Sequence, residues 1–214
     1  MFKDCEDGGS EVGAVIRDKF PQYINAEFRI SGQPTELICS QIEFVFNRLG
    51  RRIITDAGDD VVFLDDEAAK KVIRSKISFF ESVRARYGVD ACAFFGGKST
   101  GEPDFTNDLT AEERIEASFL VSALRALSSI NRSKSRRIAT QEQAMPFFRE
   151  LFTSPGRESR ADAVFNAQGS AEYVCESHIW FLEQLLSSDG ESAEAARHNM
   201  SVSLVRALGS QPSR

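Results

Sequence analysis

The sequence has little of the material from which metal and catalytic sites are usually built. Its 214 residues include two His, one Trp and three Tyr, and its four Cys occur singly, without a Cys-x-x-Cys pair. A Cys/His zinc site would need ligands from distant, isolated positions. No complete catalytic motif is present either. We therefore predict no catalytic residue, no metal and no cofactor.

A basic surplus and a long apolar run are missing as well. The net charge is -6 and the pI is about 5.1, which argues against nucleic acid as a partner, because proteins that bind it through bulk electrostatics are basic. No run approaches the ~20 apolar residues of a membrane span, and the acidic N-terminus is unlike a signal peptide. We predict a cytoplasmic protein with no membrane partner. Its cysteines are predicted to be reduced, mostly buried thiols: Cys5, Cys39, Cys92 and Cys175.

Phenylalanine is what the sequence has in abundance, with 17 residues. Phe without matching Tyr and Trp favours dry cores or protein contacts over stacking platforms for bases. Hydrophobic residues make up 42% and charged residues 27% of the chain, as in ordinary globular proteins. The composition therefore predicts a globular protein that binds a protein partner or self-associates.

The N-terminal half carries alternating strand and helix patterns. Apolar and polar residues alternate over 23–30, which is typical of a half-buried strand. An apolar stripe from Ile38 to Leu49, ended by Gly50, predicts an amphipathic helix. The runs 51–55 and 61–64 flank a glycine turn and predict a β-hairpin.

A second helix and a fourth strand complete that pattern. Asp65 and Asp66 can cap a long helix that ends at Gly88, and the apolar run 89–95 predicts a buried strand. The order predicts an α+β fold, with a ferredoxin-like βαββαβ module over residues 22–96. The alternative is a Rossmann-like α/β three-layer domain.

The remainder of the chain reads as helical. We predict a mobile N-terminal arm over residues 1–21, a linker over 97–109, a small helical bundle over 110–209 and a short tail over 210–214. Two capping boxes support the helices of the bundle: Thr110 with Glu113, and Thr140 with Gln143.

One glycine-rich segment resembles part of a phosphate loop. In FFGGKSTGE the predicted phosphate-binding residues are Gly96, Gly97, Lys98, Ser99 and Thr100, because backbone N–H groups and a lysine suit phosphate oxygens. The first glycine of a Walker A loop is replaced by Cys92, and Gly101 to Pro103 stand where its helix should begin. A glycine-rich hinge is the competing interpretation.

Three charged or reactive groups complete the candidates. A basic run is predicted to contact an anionic partner through Arg132, Lys134, Arg136 and Arg137. Turn and capping chemistry accounts for the acidic cluster over 56–67 without a metal. Cys175 and His178 stand three residues apart on one predicted helix, a spacing poorly suited to a nucleophile and its base.

These observations favour a non-catalytic intracellular interaction protein, acting as a subunit, adaptor or regulator that binds other proteins. The alternative hypothesis is an enzyme or sensor that binds a nucleotide or another phosphorylated small molecule through the Gly96–Thr100 loop.

Overall fold

The computed structural model describes residues 11–24, 39–99, 109–130 and 139–210. Within these ranges 86% of the residues are helical and no strand occurs. The elements in chain order are α1 (Glu11–Lys19), α2 (Cys39–Ala57), a 3₁₀ helix (Gly58–Phe63), α3 (Asp66–Phe95), α4 (Leu109–Ser128), α5 (Gln141–Thr153), α6 (Glu158–Asn166), α7 (Ala171–Ser187) and α8 (Glu191–Ser210).

The predicted ferredoxin-like sheet module is therefore wrong, and so is the Rossmann-like alternative. The hairpin residues 51–55 belong to α2 and 61–64 to the 3₁₀ helix and the residue after it, while the predicted strand 89–95 is the last part of α3. The first predicted strand begins in a helical turn at 21–24, and its residues 25–30 lie outside the described ranges. Short apolar runs do not distinguish a buried strand from a buried helix segment.

Tertiary packing explains why α2 passes through the predicted hairpin. Ile53 and Ile54 are both buried because α2 packs between α4 and α8. Gly50, the predicted end of this helix, lies inside it, where a Cβ would stand 3.0 Å from Leu120 of α4. Here glycine allows two helices to approach closely instead of ending one.

Several helix predictions are confirmed. The Asp65 side chain caps α3 by accepting a hydrogen bond of 2.7 Å from the Ala68 N–H. Gly88, the predicted end of this helix, interrupts it with φ 86°, but α3 continues beyond it to Phe95. The second half is helical from α4 to α8, as predicted, while α4 packs chiefly on α1, α2 and α3 of the first half. The Thr140–Gln143 capping box forms as predicted at the start of α5.

The helices enclose two main cores. The first, here called the aliphatic region, is formed by α1, α2, the 3₁₀ helix, the start of α3, α4 and the end of α8. The second, the aromatic region, is formed by the rest of α3 with α5, α7 and the start of α8. Residues 11–19, predicted to belong to the mobile arm, form α1, whose Val12 and Ile16 are fully buried in the aliphatic region.

Arg197 joins the two regions at the middle of α8. Its guanidinium is 4% exposed and donates to both carboxylate oxygens of Asp66, at 2.7 and 3.3 Å, and to the carbonyls of Leu185 and Ser188, at 3.0 and 2.6 Å. Burial alone would raise the pKa of Asp66, but hydrogen bonds from Arg197 and Lys70 outweigh burial and hold this pKa below its ordinary value. The start of α3, the end of α7 and α8 are thus connected through one side chain.

Candidate functional site

Among the residues whose burial the structure describes, two large apolar side chains are exposed, and they lie on neighbouring helices. Met145 on α5 is 37% exposed and Phe165 on α6 is 57% exposed. Full burial of a Phe side chain contributes roughly 1.5–3 kcal/mol, so Phe165 leaves about 1 kcal/mol of that stabilisation unrealised in the isolated chain. A contact with another molecule would recover it.

Phe165 packs against three other rings. Its centroid lies 6.4 Å from that of Phe148, 5.4 Å from that of Phe152 and 6.0 Å from that of the buried Phe181, each with edge-to-face geometry. Phe152 also meets Trp180 of α7 at 6.0 Å. We call the side chains that reach the surface here the aromatic surface: Met145, Phe148, Phe152, Phe165 and Trp180.

Two arginines from α6 and the residue before it border the aromatic surface. The Arg160 guanidinium lies 4.9 Å from the Trp180 ring centre and 5.8 Å from that of Tyr173, and Arg157 lies 5.7 Å from Trp180. These distances are those of cation–π contacts. Exposed aromatic and Met side chains next to Arg are the composition enriched in protein interfaces. The arrangement can hold apolar side chains and pair with acidic groups at its border.

The last part of α3 and the residues after it contact α6 and the α6–α7 connection. Ala163 of α6 packs with Ala93 of α3 and Val174 of α7 in a small buried cluster. The Lys98 ammonium donates to the Gly169 carbonyl at 2.7 Å and so holds the α6–α7 connection. The position of Phe165 therefore depends on a segment about 70 residues earlier in the chain.

A disulfide fastens that segment to α7. Cys92 of α3 and Cys175 of α7 are bonded, with their Cα atoms 5.4 Å apart, and neither residue is exposed. The prediction of reduced thiols is wrong for this pair, while Cys5 and the side chain of Cys39 lie outside what the structure describes. Eighty-three positions separate the two cysteines, so no local spacing could reveal the bond.

The predicted phosphate-binding segment forms the C-cap of α3. The Gly97 N–H donates to the Phe94 carbonyl at 2.9 Å and the Lys98 N–H to the Ala93 carbonyl at 2.9 Å, with Gly97 at φ 93°. These bonds define a Schellman motif, which favours glycine at this position. A Cβ on Gly96 would stand 3.0 Å from the His178 ring. Each glycine has a packing or capping reason.

The structure leaves phosphate binding untested. The N–H groups of Gly96, Gly97 and Lys98 all donate to α3 carbonyls, and the Lys98 ammonium is engaged by Gly169. Ser99 is exposed, and Thr100 lies outside the described residues. The predicted contact residues Arg132, Lys134, Arg136 and Arg137 also lie outside them.

Part of the acidic cluster lines a pocket of about 460 Å³ at the starts of α3 and α8. Glu191 and Glu194 line the same pocket as Asp65, Asp66 and Glu67. Within the described ranges, no three His, Cys, Asp or Glu side chains are placed to hold a metal ion. Asp66 is bound to Arg197 and Lys70, and Asp65 caps α3.

Each of the two histidines contacts a backbone carbonyl through a ring nitrogen. His178 donates from Nδ1 to the Val174 carbonyl at 3.0 Å, and burial lowers its pKa. His198 Nε2 lies 2.8 Å from the Val62 carbonyl. Because Cys175 is in the disulfide, it forms no thiolate–imidazole pair with His178.

The sequence reasoning missed the residues that form the aromatic surface. It predicted the start of α5 from the Thr140–Gln143 capping box but assigned no role to Met145, Phe165 or Trp180. The available signal was a short helix, α6, that carries a large aromatic residue in its last turn beside polar positions. Amino-acid composition does not distinguish an exposed Phe such as Phe165 from a buried one.

Comparison with known proteins adds no assignment. No protein-family model matches the chain, and no curated protein or solved structure matches it significantly. No helix in the described part of the chain is long and apolar enough to cross a membrane. Function is therefore inferred from the geometry of the chain itself.

Proposed function

We propose that this chain is a non-catalytic interaction protein, a subunit, adaptor or regulator, that binds another protein through its aromatic surface. The observation that carries the proposal is the exposure of Phe165, which is 57% exposed although its ring contacts three neighbouring rings. A ring already packed against others should lose less conformational entropy on binding than a free side chain. Arg157 and Arg160 supply the charged border that interface hot spots favour.

The roles of the polar groups support a non-catalytic function. Arg197 and Asp66 join helices at the junction of the two regions, and His178 and His198 each contact a backbone carbonyl. Each of these side chains contributes to holding the bundle together. The phosphate-loop alternative has no comparable support, because the N–H groups of Gly97 and Lys98 serve the cap of α3.

The cytoplasmic location remains a prediction from the sequence, and the disulfide is an observation against it. Disulfides persist in oxidising compartments and are rare in cytosolic proteins. Cys92 and Cys175 are fully buried, which indicates a structural bond. An oxidising compartment would suit this bond better than the cytosol.

Site-specific photo-crosslinking tests the proposed function. The photoreactive residue p-benzoylphenylalanine is placed at Phe165 and the protein is irradiated in extract from its source. We expect adducts that excess unmodified protein competes away and that the Phe165→Ser protein does not, because Ser removes the ring that a partner would bury.

The matched control carries the photoreactive residue at Arg52, whose side chain is 55% exposed on α2. This position is similarly accessible but lies in the aliphatic region. Equal adducts from both positions, or adducts that the Phe165→Ser protein also removes, would contradict binding through the aromatic surface.

A further inference from the structure

The exposed faces of α5 and α6 carry complementary pairs of residues. On α5, Met145 and Arg149 are one turn apart and both exposed. On α6, Asp162 and Phe165 are three residues apart and also both exposed. Residues with these spacings share one helix face. Each helix thus presents an apolar side chain close to a charged one, and Arg149 and Asp162 have opposite signs.

The two faces form one continuous surface. Phe165 of α6 contacts Phe148 and Phe152 of α5 through their rings, and a turn at 154–157 joins the helices. Along a helix, Met145 and Arg149 are about 6 Å apart and Asp162 and Phe165 about 4.5 Å apart, at 1.5 Å per residue. The spacings match well enough for one face to pack against the other.

We propose that the partner is a second copy of this chain, bound by a two-fold contact in which α5 of each copy packs on α6 of the other. This inference rests on the proposed function. With the helices antiparallel, Met145 meets the second copy's Phe165 while Arg149 meets its Asp162. A two-fold contact requires a surface complementary to itself, and these four residues satisfy that requirement in apolar character and in charge.

Glu158 extends the complementarity. It lies one turn before Asp162 on the exposed face of α6, so Arg149 of the second copy would meet two acids. Two α6 helices facing each other would instead bring acids against acids, which disfavours that pairing. The charge pattern therefore selects α5-on-α6 over α6-on-α6.

Charge reversal with rescue tests the dimer, measured by sedimentation equilibrium over a concentration series. Arg149→Glu alone and Asp162→Arg alone each place like charges across the contact. Each should raise the dimer dissociation constant by about 10-fold or more. The double variant restores an opposite-charge pair and should return to within about threefold of the parent. Phe165→Ser should give monomer at every concentration.

Arg52→Glu is the matched control, since it reverses an exposed arginine outside the surface, and it should leave the dimer unchanged. A monomeric parent protein, or a double variant no tighter than either single variant, would overturn the two-fold contact. If the parent is monomeric but Phe165 gives competable adducts with another protein, the dimer fails and the proposed function survives. If it is monomeric and no competable adduct forms, both fail.

Discussion

The aliphatic and aromatic regions are held together by different means. The aliphatic region packs Val, Ile and Leu from many helices around a few rings such as Phe46 and Phe119. Its ion pairs lie at the surface, as between Arg125 and Glu11 at 2.8 Å, both more than half exposed. Such pairs contribute little to stability, so burial of apolar side chains accounts for the cohesion of this region.

The aromatic region adds specific links to its packing. The Cys92–Cys175 disulfide crosses it, and Lys98 holds the α6–α7 connection. Several of its rings are only partly buried, and Phe165 is mostly exposed. Rings that remain at the surface bury less apolar area and so stabilise the fold less than buried rings do. The disulfide and the Lys98 hydrogen bond add stability to this region. The aliphatic region therefore serves as the scaffold, and the aromatic region carries the surface that we propose binds a partner.

Replacing Arg197 should produce the largest effect, because this residue joins the two regions. Arg197→Met removes the buried one of the two cations paired with Asp66, leaving Lys70, and also removes the donors to two carbonyls. We expect a loss of about 3–5 kcal/mol in the free energy of unfolding, measured by urea denaturation. Arg206→Met on the same helix removes an exposed pair with Asp59 at 3.6 Å and should cost under about 1 kcal/mol. If Arg197→Met and Arg206→Met lowered the free energy of unfolding by similar amounts, Arg197 would not couple the two regions.

Removing the disulfide should have the next largest effect, concentrated in the aromatic region. The Cys92→Ala, Cys175→Ala double variant should lose roughly 2–4 kcal/mol of stability, and reductant should destabilise the parent but not this variant. Hydrogen exchange should increase over residues 89–99 and in α6, while α1 and the second half of α4 change little. Alkylation of Cys92 in the unreduced protein would show that the bond is absent and would remove this difference between the regions.

Helix boundaries governed by local chemistry were predictable from the sequence. The Asp65 cap, the interruption at Gly88 and the Thr140–Gln143 capping box depend on residues within one turn of each other. The helical second half followed from repeated apolar stripes of helical spacing. Helix caps and apolar stripes can be recognised in the sequence without knowing which residues pack against the helix.

The sheet prediction failed where burial on several sides removed the periodicity. Ile53 and Ile54 of α2 are adjacent and both buried, so the run resembles a strand even though it is helical. In 89–95 the apolar character reflects Ala91, Cys92 and Ala93, which pack between helices. The aromatic surface and the disulfide depend on residues that are distant in sequence, and a single sequence contains no sign of such pairings.

The smallest effect we predict is a pH dependence that belongs to the aromatic region alone. Burial lowers the pKa of His178, and the nearby Lys76 acts in the same direction, while the hydrogen bond to Val174 opposes them. The folded chain therefore resists protonation of an imidazole that the unfolded chain protonates near its ordinary pKa of about 6.5. The contribution of His178 to the free energy of unfolding should be constant above about pH 6.5. It should fall as the pH drops below that value, until the pH passes the pKa of His178 in the folded chain.

The difference in melting temperature between the parent and His178→Gln, followed by circular dichroism from pH 8 to pH 5, isolates this contribution. We expect the parent to lose stability relative to the variant as the pH falls through about 6.5. His198→Gln is the control for loss of a histidine elsewhere, because it removes the imidazole that contacts Val62 of the aliphatic region, and comparing the two variants separates the two positions. His178 packs beside Phe80 in the aromatic region. If the parent and the His178→Gln variant lose the same stability in acid, the acid sensitivity of the protein does not come from His178.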